Sequence, residues 1–409
     1  MYKIIEGGVT AAIGYKAAGL RAGVKPNKTN KDMAMVFSDV PAVSAGVFTR
    51  NVVKAAPVLV DRDTITNFET ARAIVVNSGN ANACTGAQGI VNVKTTMEEA
   101  AKALSIKAEE VLVCSTGVIG QQLPLEVILK GCNMLPDALS SDLEGGEAAA
   151  EAILTTDTCK KQVAVTLELG GKTVTIGAMC KGSGMIHPNM CTMLGFVTTD
   201  ANISKEMLQK AVSASVVDSF NMISVDGDTS TNDTLLVLAN GLAGNEEIKA
   251  EDADYKAFCE ALDYVTMYLA KKMAGDGEGA TALFECQIVG ADTKENARTL
   301  AKSVICSSLS KAAIFGHDAN FGRFLCALGY SGVQFDPENV DLYFQSKSGR
   351  IHIYGEGIAK DYSEEEATKI LSEPEVTAIA DVKMGEATAT AWGCDLTYDY
   401  VKINADYRS

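Results

Sequence analysis

Positive charge is in short supply in this chain: 36 Lys and Arg stand against 52 Asp and Glu, a formal net charge of −16. Such a surface repels polyanions, which argues against nucleic acid and anionic membrane as partners. Histidine is scarcer still. Of His187, His317 and His352, no two have the spacing of zinc ligands, and no metal site is expected. The 11 cysteines are odd in number and form no CxxC pair, so they read as reduced, mostly buried thiols. Aromatic residues make up only 6% while glycine and alanine abound, which favours a tightly packed α/β protein over an aromatic-rich binding module. No apolar run approaches the length of a membrane span. Met1–Thr10 lacks a basic segment leading into an apolar one, so a cytoplasmic location is expected. Neither GxGxxG nor GxxxxGK[ST] occurs, which leaves nucleotide-binding loops unsupported. Repeats, heptads and low-complexity tracts are absent as well.

What is present is a chain of 409 residues with 47% hydrophobic content, ample for a core and long enough for two or three domains. Residues 73–77 and 111–114 read as short buried strands, and residues 95–104 have helical composition. Residues 163–169 and 172–179 both alternate with a period of two around Gly170-Gly171, predicting a hairpin. Ser204 predicts a helix N-cap, with the helix continuing to about Val217. Further helices are expected over 253–273, over 296–309 and, behind a Ser363/Glu366 capping box, to about Leu371. Residues 387–406 alternate again and read as two strands around Gly393. Strands and helices are interspersed without strict βαβ order, so the expected fold is α/β with layered mixed or antiparallel sheets, not a doubly wound one.

The most informative stretch is Lys181 to Asp200, KGSGMIHPNMCTMLGFVTTD. On composition alone it is an apolar strand holding one buried threonine. Two features point further. Gly182-Ser183-Gly184 and Pro188-Asn189 allow unusual backbone angles just before Thr192. In addition, a threonine whose preceding peptide bond is cut gains an α-amino group of pKa about 7.7–8.0, which can act as its own base. Strain at the Cys191–Thr192 bond would help the Thr192 hydroxyl attack the Cys191 carbonyl, after which water would release the amine.

This stretch closely resembles the signature of the ornithine acetyltransferase family of arginine biosynthesis, whose bifunctional members also act as N-acetylglutamate synthases. Further segments match in order along essentially the whole chain. They include GGVTAAIGYK from Gly7, STGVIG from Ser115, TTDT from Thr155, SFNMISVDGDTSTNDT from Ser219, GDGEGAT from Gly275, IFGHDANFGR from Ile314 and GCDLTYDYVKINADYRS from Gly393. The resemblance implies a self-processing fold of the N-terminal-nucleophile kind, cut into an α fragment (1–191) and a β fragment (192–409). It implies Thr192 as nucleophile and Thr116 with Gly117 as the oxyanion hole, positions that by themselves read as an ordinary strand-ending turn. It implies substrate contacts from Thr155 (ahead of Thr156), Lys181, Thr192, Glu278, Asn404 and Ser409. Lys181 suits a substrate α-carboxylate and could help polarise Thr192, and Glu278 suits either the ammonium of ornithine or a part in proton transfer. His187 and His317 receive no role. The chain departs from the family pattern at Cys191, where alanine is common, at Ser409, where threonine is common, and at Phe321, where tryptophan is frequent.

The implied reaction is ping-pong transfer of acetyl from N2-acetyl-L-ornithine to L-glutamate through an acetyl-threonyl enzyme, with no cofactor. Some members also accept acetyl-CoA as donor. The implied assembly is a heterotetramer of two α and two β fragments. Two other readings remain open from the residues: a self-processing amidase or aminopeptidase that uses water as acceptor, and a non-catalytic amino-acid-binding protein.

Overall fold

The computed structural model describes residues 1–25, 29–187 and 193–406. Thr192 and Cys191, with the bond between them, lie outside the described residues, as does Ser409. Among the described residues, the strands form two sheets, of nine and seven strands. In spatial order, the larger sheet runs Tyr2–Ile5, Lys161–Leu169, Lys172–Lys181, Leu194–Thr199, Thr234–Ala239, Met33–Phe48, Thr70–Asn80 and Val111–Val118, with Tyr15–Leu20 also paired to Met33–Phe48. It is a mixed sheet. Leu194–Thr199 pairs antiparallel with Lys172–Lys181 and parallel with Thr234–Ala239. The smaller sheet contains Leu283–Ala291, parallel to Glu375–Asp381 and antiparallel to Ala387–Cys394.

Strand alternation builds separate cores on the two faces of the larger sheet. Val75 and Val113 join one buried cluster with Val93, Met97 and Ala100 of the helix Gly86–Leu104. Their neighbours Val76 and Leu112 join another with Ala149 and Ala150 of the helix Leu143–Ala152. The helix Ala253–Gly275 packs against both sheets. Its Phe258, Leu262, Val265 and Leu269 share a cluster with Val165 and Ile176 of the larger sheet and with Phe284 and Ala391 of the smaller. All four helix side chains are buried, each contributing about 1.5–3 kcal/mol from removal of apolar surface from water.

Several expected elements form as read. The hairpin closes with Leu169 opposite Lys172 across Gly170-Gly171. Ser204 accepts the Met207 N–H to cap Lys205–Ser215, and Ser363 accepts the Glu366 N–H to cap Glu364–Leu371. Two expectations fail. The helix expected over 296–309 is two helices, Lys294–Cys306 and Ser308–Phe315, because Ser307 takes an extended conformation and caps the second through the Ser310 N–H. The two strands expected over 387–406 are one strand, Ala387–Cys394, followed by the helix Tyr398–Asp406. There the Thr397 hydroxyl accepts the Tyr400 N–H at 3.2 Å, which starts a helical turn where alternation suggested a strand. Among the described residues, no helix is long and apolar enough to cross a membrane.

Candidate active site

The strand Val111–Val118 is buried through Ser115 and emerges at Thr116 and Gly117. Gly117 has φ +131°, and a Cβ there would lie 2.4 Å from the Gly79 carbonyl carbon of the neighbouring strand. Only glycine fits this crossing. Asn232 fixes the arrangement from the other side, its side-chain amide donating to the Ala81 carbonyl at 2.6 Å and the Ser115 carbonyl at 2.7 Å. Residues 230–233, which lead into the strand Thr234–Ala239, are thereby tied to the end of the strand that carries Thr116.

Lys181 is the last residue of the strand Lys172–Lys181 and is only 6% exposed. Its Nζ lies 3.9 Å from Asp157 Oδ2. Asp157 also takes the Lys161 ammonium at 2.8 Å, the Gly182 N–H at 2.7 Å and the Thr155 N–H at 3.0 Å. Burial alone would raise the Asp157 pKa. The Lys181 and Lys161 charges outweigh it and hold the carboxyl well below the usual carboxylate range. Lys161 is paired with Asp276 as well, and Thr158 also bonds that carboxylate. The network thus joins the segment 155–161 to the end of the helix Ala253–Gly275.

Just beyond that helix, Glu278 is 8% exposed. Its N–H donates to the Ser183 carbonyl at 3.1 Å, and its carboxylate accepts the Asn404 amide at 2.8 Å. A Cβ at Gly184 would sit 2.4 Å from the Glu278 carboxyl, so glycine there makes room for the acid. The turn is held by Asp226, which accepts the Met185 and Ile186 N–H groups at 2.6 and 2.9 Å. Asn404 reaches Glu278 because the C-terminal helix folds back, with the Thr397 hydroxyl donating to the Gly279 carbonyl at 2.8 Å.

These walls enclose one cavity of about 150 Å³. Thr116, Gly117, Thr155, Lys181, Glu278 and Asn404 all line it, together with Thr156 and Met193. Every predicted site residue that the structure describes therefore meets at one place. Among the described residues, the titratable groups in the lining are Lys181, Glu278 and Asp233. One cation and two acids, set among hydroxyls and amides, suit a small molecule carrying charges of both signs. The sequence reading gave no role to Asp157, Lys161, Asp226, Asn232 or Asp233. Asp157, Asp226, Asn232 and Asp233 fall inside matched motifs (TTDT and SVDGDTSTNDT), where their positions offered a signal. Lys161, just past TTDT, offered none.

A profile of the ArgJ family matches residues 16–409. The chain is 54% identical over 406 residues to the arginine biosynthesis bifunctional protein ArgJ of Symbiobacterium thermophilum, spanning 99% of both. It is 49% identical over 407 residues to the protein of the same name from Caldanaerobacter subterraneus subsp. tengcongensis, spanning all of both. A crystal structure of the Bacillus halodurans protein of that name is 47% identical with a TM-score of 0.51. The match takes in 53% of this chain and 100% of that one. The chain belongs to the ArgJ family, and so to the acyltransferases of arginine biosynthesis.

Proposed function

We propose that this protein transfers the acetyl group of N2-acetyl-L-ornithine to L-glutamate through an ester on Thr192. The carrying observation is the convergence of Thr116, Gly117, Thr155, Lys181, Glu278 and Asn404, distant in sequence, on one cavity that also includes Met193, the residue after Thr192. Cleavage before Thr192 would expose its α-amine. The substrate carboxylate pairs with Lys181 and its ammonium with Glu278, with Thr155, Asn404 and Ser409 completing the binding. The Thr192 hydroxyl oxygen bonds to the acetyl carbon while its proton passes to the Thr192 amine. The carbonyl electron pair moves to oxygen, where Thr116 and Gly117 stabilise it. When the intermediate collapses, the C–N bond breaks, the proton returns to the leaving nitrogen and ornithine departs. Glutamate then attacks the ester through its amine and leaves as N-acetylglutamate.

None of these steps requires a cofactor. Acetyl-CoA as a second donor is in keeping with the word bifunctional in the relatives' names. Two observations support a cut chain. Residues 192–409 make up the same share of this protein that matches the whole solved Bacillus halodurans chain. The sheet order also interlocks the fragments: Leu194–Thr199 and Thr234–Ala239 lie between Lys172–Lys181 and Met33–Phe48, so a cut before Thr192 leaves both parts in one sheet. Two such pairs would form the heterotetramer, in the cytoplasm.

The test is mass spectrometry of the purified protein after incubation with acetylornithine. A fragment beginning at Thr192 with an added mass of roughly 42 Da, the acetyl group of a covalent intermediate, is expected. Glutamate should remove it as acetylglutamate. An unmodified fragment would overturn the reading, and release of acetate alone would make the protein a hydrolase.

A further inference from the structure

We propose that a second cleft, behind one wall of the active cavity, is a binding site for the phosphate groups of a small molecule. It has a volume of about 630 Å³ and lies between the end of the strand Met33–Phe48, the helix Ala56–Asn67 and the helix Lys205–Ser215. That is the size of a small-ligand site. Arg50, Lys54, Arg62 and Lys205 line it, and among the described residues no acid does. In a chain of net charge −16, four cations around one concavity run against the general sign of the surface. No residue of this cleft lines the active cavity, so the proposal stands apart from the acetyl-threonyl reading.

The walls are fixed by specific bonds. Gln209 Oε1 accepts the Gly46 N–H and its Nε2 donates to the Gly46 carbonyl, each at 3.1 Å, which clamps the helix Lys205–Ser215 to the strand. A Cβ at Gly46 would sit 2.9 Å from Ile65 Cδ1, so glycine lets the helix Ala56–Asn67 close on the same strand. Lys205 Nζ donates to the Ile65 and Phe68 carbonyls at the end of that helix, where the helix dipole favours a cation. Lys54 Nζ donates to the Asn51 carbonyl at 2.7 Å. Neutral carbonyls thus hold both ammonium groups without cancelling their charge. Burial lowers the Lys205 pKa, and Glu69, outside the lining, opposes this. Arg50 and Arg62 are exposed, and among the described residues their guanidiniums have no ion-pair or hydrogen-bond partner.

Like charges around a cleft repel one another, and the same arrangement concentrates an anion there. A guanidinium offers paired N–H groups that match two oxygens of a phosphate, and an ammonium adds a point charge. One carboxylate would occupy a single guanidinium, whereas linked phosphates engage two guanidiniums and two ammoniums together. The position of the cleft bears on the active cavity. The Thr49 N–H and hydroxyl donate to the Asp233 and Ser230 carbonyls, and the Ala55 N–H donates to the Thr231 carbonyl, each at 2.9 Å. Ser230, Thr231 and Asp233 line the active cavity, so the segment bearing Arg50 and Lys54 is fastened to that cavity's wall. Phosphates bound here have two possible sources. One is the coenzyme part of acetyl-CoA, with its thioester arm running toward the site of transfer. The other is a free small phosphate acting across the wall as an effector.

The experiment is calorimetric titration of the full protein with inorganic pyrophosphate and, separately, with coenzyme A. Both are repeated on the double variant Arg50→Gln/Arg62→Gln and on Thr66→Glu, which puts an acid into the lining. All three positions are exposed, so the variants should keep the parent's melting temperature. Pyrophosphate should bind the parent and bind the double variant about 100-fold more weakly, roughly tenfold for each lost charge-assisted hydrogen bond. Thr66→Glu should weaken it in the same direction. Coenzyme A binding that the variants lose identifies the coenzyme as the source, and pyrophosphate binding alone identifies a free phosphate. Failure of both ligands to bind the parent, or affinities that stay within about threefold in both variants against the loss expected for these contacts, overturns the proposal. Absence of the acetyl adduct on the parent would overturn the transferase reading and leave these titrations unaffected, which keeps the two failures apart.

Discussion

Asp157 and Asp233 stand at or beside the same cavity with their side chains hidden from water, yet their surroundings differ completely. Asp157 is wrapped by two ammonium groups and two backbone N–H donors. Its pKa is depressed. Asp233 has an oxygen without a partner among the described residues, and burial raises its pKa. Burial acts alike on both, so what separates them is the company each keeps. The first carboxylate is part of the scaffold, joining the segment that bears Thr155 to Lys181 and to the end of the long helix. The second lies in the cavity wall, with one buried oxygen that no described residue bonds.

This contrast breaks first at stability. Asp157→Asn takes the carboxylate from Lys181 and leaves Lys161 with Asp276 alone, and it should cost about 3–5 kcal/mol in chemical denaturation. Asp233→Asn removes a charge that burial disfavours and should not destabilise the fold. Equal losses would dissolve the distinction. The pH dependence has opposite signs. With its folded pKa lowered, Asp157 contributes stability above the unfolded value of about 3.9 and loses it as pH falls below that. With its folded pKa raised, Asp233 favours the folded state below that value and disfavours it as pH rises toward the folded pKa. Asp157→Asn should therefore flatten the acid limb of a stability-against-pH curve, whereas Asp233→Asn should raise stability near neutrality relative to acid.

The next effect is on turnover. Thr116→Ala removes one proposed oxyanion donor, and kcat should fall about 10²–10³-fold with KM for acetylornithine little changed. This sharpens the comparison by showing that chemistry is lost while the Asp157 scaffold stands. Gly184→Ala tests the cavity wall beside Glu278. The new methyl would displace the Glu278 carboxyl, and KM should rise roughly tenfold, in line with the loss of a hydrogen bond to a charged group, with kcat less affected. The smallest effect is expected from Asn404→Ala, which removes one partly buried bond to Glu278 and should raise KM by about three- to tenfold. Steady-state kinetics checks all three.

Period-two alternation and caps made the hairpin, the Ser204 helix and the Ser363 helix legible, because those signals lie within a few residues of one another. The break at Ser307 and the helix after Cys394 were not. Each depends on one hydroxyl taking a cap role that its neighbours did not signal, and the second is held by a contact from Thr397 to Gly279, far away in sequence. The predicted site residues came from motif resemblance, and those described do meet in one cavity. Lys161 was missed because a lysine in sequence carries no mark of being buried and paired, and Asp233 because its place in a matched motif says nothing of its burial or bonding.

By itself the sequence determined the local elements and the family, since both are written in short-range patterns and matched motifs. Only the tertiary structure decided which charges pair and which are left waiting, because burial and hydrogen bonding are set by strands such as Leu194–Thr199 and Thr234–Ala239 packing between others distant in the chain.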